Sequence, residues 1–363
     1  MTEPTNVGIL AVGAYLPDEV RKNDWWPRST VESWEDKLSA RNNVRKEAAA
    51  PLTDGPRRVL AAMAEYSNDP FKGSKERRAM SKQMVPSDME IAAGKDALQR
   101  SGIDPQQIDL LLTFSQLPDY VAVPNAPIVH AGLGLNEWCL SIATDSACNS
   151  FQTQLTLAES MIKSGRARLA LLVQSSSAQH LIRPHEQHSA WFGDGATAVV
   201  VGPVAAGHGI LGTAHRTDGT LSKALVGGCP NGGRWFDGGQ IAYYFESREQ
   251  AVRMTMALPE LGTQVMDKAL AIAGLTPKDV GFYASHQGTH WFRRVTQEHL
   301  GMAQARFFDS YEFTTSLAAS NIPFVMAMAS REGILRNGDV VAMFSGGSGI
   351  SVSGTILRWG TGS

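Results

Sequence analysis

The sequence predicts an α/β protein assembled from two copies of one folding unit. From residue 87 to the end, amphipathic helical patterns alternate with short apolar strand patterns, which is typical of α/β architecture. The chain also resembles itself, because an offset of 172 residues lays positions 97–110 on positions 269–282, with Ala, Leu, Gly and Pro in identical places.

The internal repeat recurs elsewhere at nearly the same offset. An offset of 171 residues lays the strand pattern 169–173 on 340–344, and the helix that follows Cys148 on the helix that follows Ala319. Shared helix-stop and turn chemistry is the alternative explanation of so weak a similarity. Agreement at separate places with nearly one offset favours duplication.

The first elements are predicted in chain order. Residues 7–15 form an apolar strand pattern that a Leu-Pro-Asp turn closes. Residues 22–85 are rich in Arg, Lys, Trp, Pro and Gly without a steady period, which predicts a long irregular excursion with short helices. A capping box at 87–90 then opens a helix that runs to Arg100, and 110–114 is a buried strand.

Composition narrows the classes of function. With 363 residues, 43% of them hydrophobic, the chain can bury one large core or two medium ones. The formal charge is −2 and there is no basic run, so we expect a small-molecule or protein-borne substrate and neither nucleic acid nor a membrane surface as partner. The cysteines have no disulfide or zinc spacing and no apolar stretch reaches the roughly 18 residues of a membrane span, so a cytoplasmic location is expected.

Cys148 is the first candidate catalytic residue. It lies where an apolar strand pattern ends in a turn of small residues and an amphipathic helical pattern begins. A thiol in the first turn of a helix feels the partial positive charge of unpaired backbone N–H groups, which favours the nucleophilic thiolate. A buried structural cysteine is the alternative interpretation.

His286 is the second candidate. It follows the apolar strand pattern 280–285, and open α/β sheets place their sites at the carboxyl ends of strands. A neutral imidazole there could deprotonate Cys148 or donate a hydrogen bond to a developing oxyanion. A structural histidine with satisfied hydrogen bonds is the alternative.

Other polar and glycine-rich segments predict less. His185 and His188 have helical spacing but no third ligand, so we expect a loop there and no metal site. Residues 344–349 lack the GxGxxG order and the following helix of a dinucleotide site, so nicotinamide chemistry is disfavoured. Their backbone could instead approach a ligand closely, and the N–H groups of Cys148 and of Gly346 or Gly347 would then form an oxyanion hole.

Taken together, these residues resemble β-ketoacyl-acyl-carrier-protein synthase III, among the condensing enzymes of the thiolase superfamily. The resemblance runs nearly from end to end, and the order and spacing of its motifs make it specific. The segments that carry it are 15–21, 146–151, 163–173, 192–195, 285–287 and 344–347.

This resemblance implies an α/β thiolase fold with a duplicated five-layer αβαβα architecture. The halves would be residues 1–204, which carry the cysteine and an insertion at about 22–85, and residues 205–363, which carry the histidine. It also implies a homodimer, an acyl-coenzyme A or acyl carrier protein as partner, and no cofactor beyond the coenzyme A or phosphopantetheine thioester that serves as substrate.

The family's site residues carry over only in part. Cys148 matches the cysteine that takes the acyl group from a thioester, and His286 matches the histidine that acts with an asparagine in decarboxylating a malonyl thioester. Counted without gaps from His286, the asparagine position holds Ser316, and Asn321 stands five residues later. The Trp and Arg that hold the adenine of coenzyme A in the family correspond to Trp34 and Arg41, although the spacing here is longer.

The departure at the asparagine position directs the functional prediction. Loss of one oxyanion donor typically costs about 2.7 to 4 kcal/mol of barrier. We therefore expect an EC 2.3.1 type acyltransferase of secondary metabolism, which passes the acyl group from Cys148 to an oxygen or nitrogen nucleophile of a small molecule. The alternatives are decarboxylative Claisen condensation with a malonyl or β-ketoacyl thioester, and a catalytically silent partner subunit of a ketosynthase heterodimer.

Overall fold

The computed structural model describes residues 6–44, 52–230, 236, 238–239 and 241–362, with the side chains of 40–44 outside the description. The strands are β1 (Asn6–Tyr15), β2 (Glu19–Lys22), β3 (Glu76–Ala79), β4 (Leu110–Ser115), β5 (Leu140–Ala143), β6 (Ala170–Ser176), β7 (Gly195–Val204), β8 (Gly209–Thr217), β9 (Val226–Gly228), β10 (Ala242–Tyr244), β11 (Phe282–Ser285), β12 (Val340–Gly347) and β13 (Ser351–Arg358). The helices are α1 (Arg28–Val44), α2 (Asp54–Glu65), α3 (Pro86–Ser101), α4 (Ala126–Leu133), α5 (Ser150–Lys163), α6 (Arg248–Ala273), α7 (Phe292–His299), α8 (Tyr311–Thr314) and α9 (Asn321–Arg331).

Two main sheets repeat one topology. The first has the strand order β5-β4-β6-β7-β1, and the second has the order β11-β12-β13-β8. In the first sheet β4 and β6 are parallel, whereas β6–β7 and β7–β1 are antiparallel. The second sheet repeats this, with β11 and β12 parallel and β12–β13 and β13–β8 antiparallel. The strand order and directions confirm the duplication.

The layers follow from which face of each sheet is apolar. Phe151 and Leu155 of α5 and Val325 and Met326 of α9 lie in one cluster with residues of both sheets, so these helices form the central layer. Helices α3 and α4 cover the outer face of the first sheet, and α6 and α7 cover the outer face of the second. This is the five-layer αβαβα arrangement that the resemblance implied.

The insertion contains longer helices than the sequence predicts. Helix α1 has 17 residues and α2 has 12. The expectation of short helices was wrong because α1 attaches mainly through Trp34 and Leu38, one turn apart, and leaves most of its other described residues in solvent. A helix with so few buried positions shows no apolar period in its sequence.

The start of α3 is capped by other residues than those predicted. The helix begins at Pro86, and the Val85 N–H donates to Asp88 Oδ2 over 3.0 Å. The Ser87 hydroxyl donates instead to Asp119 Oδ2 over 2.6 Å. Glu90 is fully buried, so it turns towards interior hydroxyl groups rather than back to the helix terminus. Burial of the carboxylate overrides the local capping pattern.

Candidate active site

Cys148 lies in a strained turn between strand β5 and helix α5. The turn is a 3-10 helix over Ala147–Asn149, and Ala147 has a φ of 50°, in the left-handed region that costs an L-residue energy. Two side chains hold the turn. Asp145 Oδ1 accepts from the Ala147 N–H over 2.7 Å, and Ser150 Oγ accepts from the Ser146 N–H over 2.8 Å. The fixed backbone presents Cys148, a residue that is partly exposed as a whole although its thiol group is enclosed by protein.

The second half of the chain forms the same turn. A 3-10 helix spans Ala318–Ser320 before α9, and Ala318 has a φ of 48°. Asn321 Oδ1 accepts from the Leu317 N–H over 3.2 Å, which is the role that Ser150 has in the first turn. Ala319 occupies the place of the cysteine. The two turns pack against each other, so whatever the second turn holds lies close to Cys148.

His286 enters this junction from the end of β11. Its backbone N–H donates to the Phe344 carbonyl over 2.9 Å, and its ring meets Phe292 edge-on with centroids 5.5 Å apart. The imidazole reaches the Ala318 carbonyl and the Asn321 side chain of the second turn. Gly288 is required beside it, because a Cβ there would lie 2.4 Å from His286 Nε2.

His286 and Asn321 retain unused hydrogen-bonding capacity. Asn321 is close enough to favour the protonated imidazole, yet neither His286 Nδ1 nor Asn321 Nδ2 completes a hydrogen bond of good geometry in the structure. Buried polar atoms without a partner are costly, and they occur where a ligand or water supplies one. The structure therefore brings the Cys148 turn, His286 and Asn321 together at one junction.

Burial sets the protonation state of both candidate catalytic groups. It lowers the pKa of His286 to about 4, opposed by the Ala318 carbonyl and by Asn321. It raises the pKa of Cys148 to about 12, opposed by the cysteine's own backbone N–H and assisted to a lesser degree by the charge of Asp145. The resting site thus holds a thiol and a neutral imidazole. Burial therefore opposes the thiolate that the helix terminus was expected to favour.

Ser316 does not take the place beside His286. Its N–H donates to the Trp191 carbonyl over 3.1 Å, and its carbonyl accepts from the Gly193 N–H over 3.0 Å, so it forms a short parallel bridge to Phe192. Its hydroxyl lies 3.4 Å from the Ala318 N–H, which donates to it weakly. Of the two residues predicted for the family's asparagine, only Asn321 reaches the imidazole.

Gly346 and Gly347 end strand β12 near the Cys148 turn. A Cβ on Gly347 would lie 2.2 Å from the Ser146 carbonyl oxygen and 3.1 Å from the Asn149 nitrogen, so only glycine permits this approach. A Cβ on Gly346 would instead meet Leu258 at 3.1 Å. The strand end thus reaches the nucleophile's turn at Gly347. That the N–H groups of Cys148 and of Gly346 or Gly347 form an oxyanion hole stays a prediction.

The prediction that Trp34 stacks on the adenine of coenzyme A is wrong. Trp34 is 1% exposed, and its indole N–H donates to the His185 carbonyl over 2.8 Å. Trp26 and Phe71 pack against its ring with centroids 5.9 and 6.1 Å away. No face of the indole is open to a ligand, because it forms the core of the insertion. Arg41 belongs to α1, but its side chain lies outside the described residues.

The sequence analysis missed Tyr243 on the short strand β10. Its phenol faces Gln116 and lies near Cys148 and Asp145, and its ring stacks on Phe192 with centroids 6.5 Å apart. Burial, followed by the nearby Cys148, raises its pKa to about 12, so the phenol is neutral. A tyrosine in a glycine-rich stretch about 95 residues from the cysteine gives no local signal of this contact.

The other segments singled out in the sequence hold no metal ion centre in the described part of the chain. His188 lies 3.1 Å from Glu186 and 3.2 Å from the Tyr243 carbonyl, in a short 3-10 helix over Gln187–Trp191. Across the described ranges, no three His, Cys, Asp or Glu side chains converge as a metal site would need. Nor is any described helix long and apolar enough to cross a membrane.

The fold and the paired turns define a thiolase-fold enzyme in which a strained turn presents a cysteine. The family models for 3-oxoacyl-[acyl-carrier-protein] synthase III match residues 143–219 and, for its C-terminal part, residues 270–359. The β-ketoacyl-[acyl-carrier-protein] synthase III of Roseiflexus castenholzii is 30% identical over 321 residues, which cover 85% of this chain and 96% of that protein. The chain belongs to the β-ketoacyl-acyl-carrier-protein synthase III family of condensing enzymes.

Solved structures agree on the fold over nearly the whole chain. The 3-oxoacyl-[acyl-carrier-protein] synthase III of Aquifex aeolicus superposes with a TM-score of 0.77 at 23% identity, covering 97% of this chain and 100% of that one. OleA of Xanthomonas campestris, in a structure with bound lauric acid and lauroyl-CoA, superposes with a TM-score of 0.76 at 18% identity, covering 98% and 100%. At these identities the likeness shows the thiolase fold alone.

Proposed function

We propose that this enzyme is an acyltransferase that forms an acyl-enzyme on Cys148 and passes the acyl group to an oxygen or nitrogen nucleophile of a small molecule in secondary metabolism. The observation that carries the proposal is the neutral, buried His286 at the junction of the two turns, one of which presents Cys148. An imidazole with a pKa near 4 is unprotonated at neutral pH, so it can accept a proton from a thiol and later from a hydroxyl or amine acceptor.

The first step would load the enzyme from an acyl-coenzyme A or an acyl carrier protein. The Cys148 sulfur attacks the thioester carbonyl as His286 accepts the thiol proton. The tetrahedral oxyanion is held by the Cys148 N–H and by an N–H of Gly346 or Gly347. The bond to the donor's sulfur then breaks, and His286 returns the proton so that the donor leaves as a free thiol.

The second step would transfer the acyl group. The acceptor's oxygen or nitrogen attacks the Cys148 thioester, His286 accepts its proton, and the cysteine leaves as a thiolate that takes this proton back. Transfer needs a proton acceptor beside the acyl-enzyme but no second oxyanion donor where the family has an amide, and the neutral His286 is such an acceptor.

Decarboxylative condensation is the second candidate, and Asn321 favours it. Its Nδ2 is buried and lacks a hydrogen-bond partner, and its side chain lies beside His286. A malonyl thioester carbonyl bound between the two would find the pair of donors that stabilises an enolate after loss of carbon dioxide.

We further propose that the enzyme acts as a homodimer through β5. This edge strand pairs with β4 on one side, and its burial pattern shows exposed residues on both faces. Leu140 is 47% exposed and the neighbouring Trp138 87% exposed, which is unusual for residues so large and apolar. A second copy pairing there would cover both the strand edge and this surface.

The experiment that tests the acyl-enzyme is intact mass measurement after incubation with a panel of acyl-coenzyme A thioesters. Wild type and the Cys229→Ala variant, which removes another free cysteine, are expected to gain one acyl mass, and Cys148→Ala none. An adduct that persists in Cys148→Ala would refute the assignment. With malonyl-coenzyme A and a loaded enzyme, a β-keto product and carbon dioxide would establish condensation in place of transfer.

A further inference from the structure

We propose that Tyr243 selects the acyl group: its phenol donates a hydrogen bond to a neutral oxygen that the acyl chain carries beside the thioester. The substrate class would be short 3-oxoacyl and 3-hydroxyacyl thioesters, favoured over plain alkanoyl ones. This inference rests on the proposed acyl-enzyme at Cys148. Two observations support it: the position of the Tyr243 side chain near Cys148, and the roles of donor and acceptor between the phenol and Gln116.

Tyr243 lies over the strand ends that present the nucleophile. Gln116 directly follows β4, and its backbone N–H donates to the Ser175 carbonyl of β6 over 3.2 Å. The Thr144 N–H, at the end of β5 and four residues before Cys148, donates to the Thr113 carbonyl of β4 over 2.8 Å. The ends of these neighbouring strands therefore bring Gln116, the partner of the Tyr243 phenol, to the same sheet edge as the cysteine turn.

Tyr243 is also tied to the second turn. Its ring stacks on Phe192, nearly parallel with an interplanar angle of 10°. Phe192 in turn bridges to Ser316, two residues before Ala318. His188 Nε2 lies 3.2 Å from the Tyr243 carbonyl and holds the backbone from the other side. Tyr243 thus lies near Cys148 and is linked through Phe192 to the segment that leads into the second turn, and the residue is only partly buried there.

The hydrogen bonds around Gln116 determine which way the phenol proton points. Gln116 Oε1 accepts from the Ser177 backbone N–H over 3.2 Å. The Ser176 hydroxyl lies 3.0 Å from the same oxygen, but it donates to the Gly193 carbonyl at the shorter distance of 2.7 Å. Because a backbone N–H can only donate, the amide's other end, Nε2, is the donor towards the Tyr243 oxygen. With Gln116 Nε2 turned towards the phenol oxygen, the phenol proton is not taken by Gln116 and can be donated to an acyl group on the nearby Cys148.

The negative charge of Asp145 determines which acyl oxygen can accept the phenol proton, a neutral one or a carboxylate. Asp145 lies near both Cys148 and Tyr243, and its influence on both is that of a negative charge. A second carboxylate, such as that of a malonyl group, would be repelled there. A keto or hydroxyl oxygen accepts the same hydrogen bond without that repulsion, so neutral oxygenated acyl groups fit the site.

The test compares acylation rates of the full chain by quenched-flow intact mass with butyryl-, acetoacetyl- and 3-hydroxybutyryl-coenzyme A. We expect wild type to load the two oxygenated groups faster than butyryl, and Tyr243→Phe to lower the ratio of each oxygenated rate to the butyryl rate by on the order of 10-fold. The matched control is Tyr244→Phe, which removes the next hydroxyl along β10, one that donates to the Cys229 carbonyl over 3.2 Å.

The outcomes separate this inference from the proposed function. If wild type forms no adduct with any of the three thioesters, the acyl-enzyme proposal fails and the selectivity with it. If wild type is loaded but shows no preference, or if Tyr243→Phe slows all three equally, selection by Tyr243 is overturned while the acyl-enzyme stands. Thermal melting of both variants checks that each remains folded.

Discussion

Ala147 and Ala318 occupy equivalent positions in the two halves, with φ angles of 50° and 48°. Each opens a 3-10 turn that leads into a helix of the central layer, and the next residue is Cys148 in one turn and Ala319 in the other. A left-handed conformation costs an alanine roughly 1–2 kcal/mol. Both copies keep this strain, but only one carries a nucleophile. The other supplies Asn321 and the carbonyl that hold His286.

Replacing Asn321 with serine tests the role of its amide. Serine keeps an oxygen that can accept from the Leu317 N–H, as Ser150 does in the first turn, so the turn should remain folded. The variant lacks the donor beside His286. We expect acylation of Cys148 to stay within a few-fold of wild type, and any condensation with malonyl thioester to fall by about 100- to 1,000-fold. Product formation by mass spectrometry measures both steps.

Ser316→Ala is the matched control for Asn321→Ser. Its hydroxyl makes only a long contact with the Ala318 N–H, so condensation should change by less than about threefold. The reverse pattern, a large loss in Ser316→Ala and none in Asn321→Ser, would show that Ser316 is the functional counterpart of the family's asparagine.

The pH dependence of Cys148 alkylation tests the neutral resting pair. Iodoacetamide reacts with the thiolate, and the thiol has a pKa raised to about 12. Alkylation should therefore be slow at pH 7 and rise steadily up to pH 9, because the thiolate fraction grows roughly tenfold per pH unit below the pKa. Peptide mass mapping measures the modified fraction.

Asp145→Asn is the informative companion variant in that experiment. It retains an acceptor oxygen for the Ala147 N–H but removes the negative charge that raises the thiol pKa. We expect faster alkylation than in wild type at pH 8. A rapid rate that is flat from pH 6 to pH 9 in wild type would instead reveal a preformed thiolate and imidazolium pair.

Glu90→Gln tests a buried carboxyl group of the first half. Glu90 accepts from the Ser115 and Ser175 hydroxyls and from the Asn125 amide, but burial raises its pKa from 4.5 to about 7. A carboxyl with a raised folded pKa stabilises the fold below its unfolded pKa of 4.5, and this contribution is lost as the pH rises through about 7.

Glutamine has the same shape as Glu90 and does not ionise. In urea titrations, we expect wild type and Glu90→Gln to be similar in free energy of unfolding at pH 5, and the variant to be more stable by on the order of 2 kcal/mol at pH 8. Asp194, whose pKa burial also raises to about 7, is present in both proteins and cancels. A difference that does not change with pH would contradict the raised pKa.

The sequence predicts the fold well and the arrangement of the candidate active site only partly. The repeat offset and the alternation of helices and strands identify the duplication, since both depend on local periodicity. The sequence left Ser316 and Asn321 as alternatives for the family's asparagine but could not choose between them, because a count without gaps places Ser316 there and Asn321 five residues later. Only the packing of the second turn decides between them. Trp34 shows a different error of sequence comparison. Its position was matched to the family's adenine-binding tryptophan, but in this chain the indole forms part of the core of the insertion.

Tyr243 could not be predicted because nothing local distinguishes it. It lies on the two-stranded β9–β10 sheet, which brings it to the candidate active site. Its partner there is Gln116, which lies at the end of a strand in the other half of the chain. Such a contact joins residues 127 positions apart without a repeat or motif to link them. A residue such as Tyr243, which would select the substrate through a long-range contact, therefore leaves no local pattern in the sequence. The turn that carries Cys148 does leave one, because it is built from small residues.

Ile142→Lys tests the proposed homodimer. Ile142 is 38% exposed on β5, and a lysine there would place a charge at the centre of a β5–β5 contact, which disfavours strand pairing. We expect wild type to sediment as a dimer and the variant as a folded monomer in analytical ultracentrifugation. Ile272→Lys on α6, at an isoleucine that is 56% exposed, is the matched control and should remain dimeric. A wild type that is monomeric at micromolar concentration, or an Ile142→Lys variant that stays dimeric, would show that β5 is not the interface.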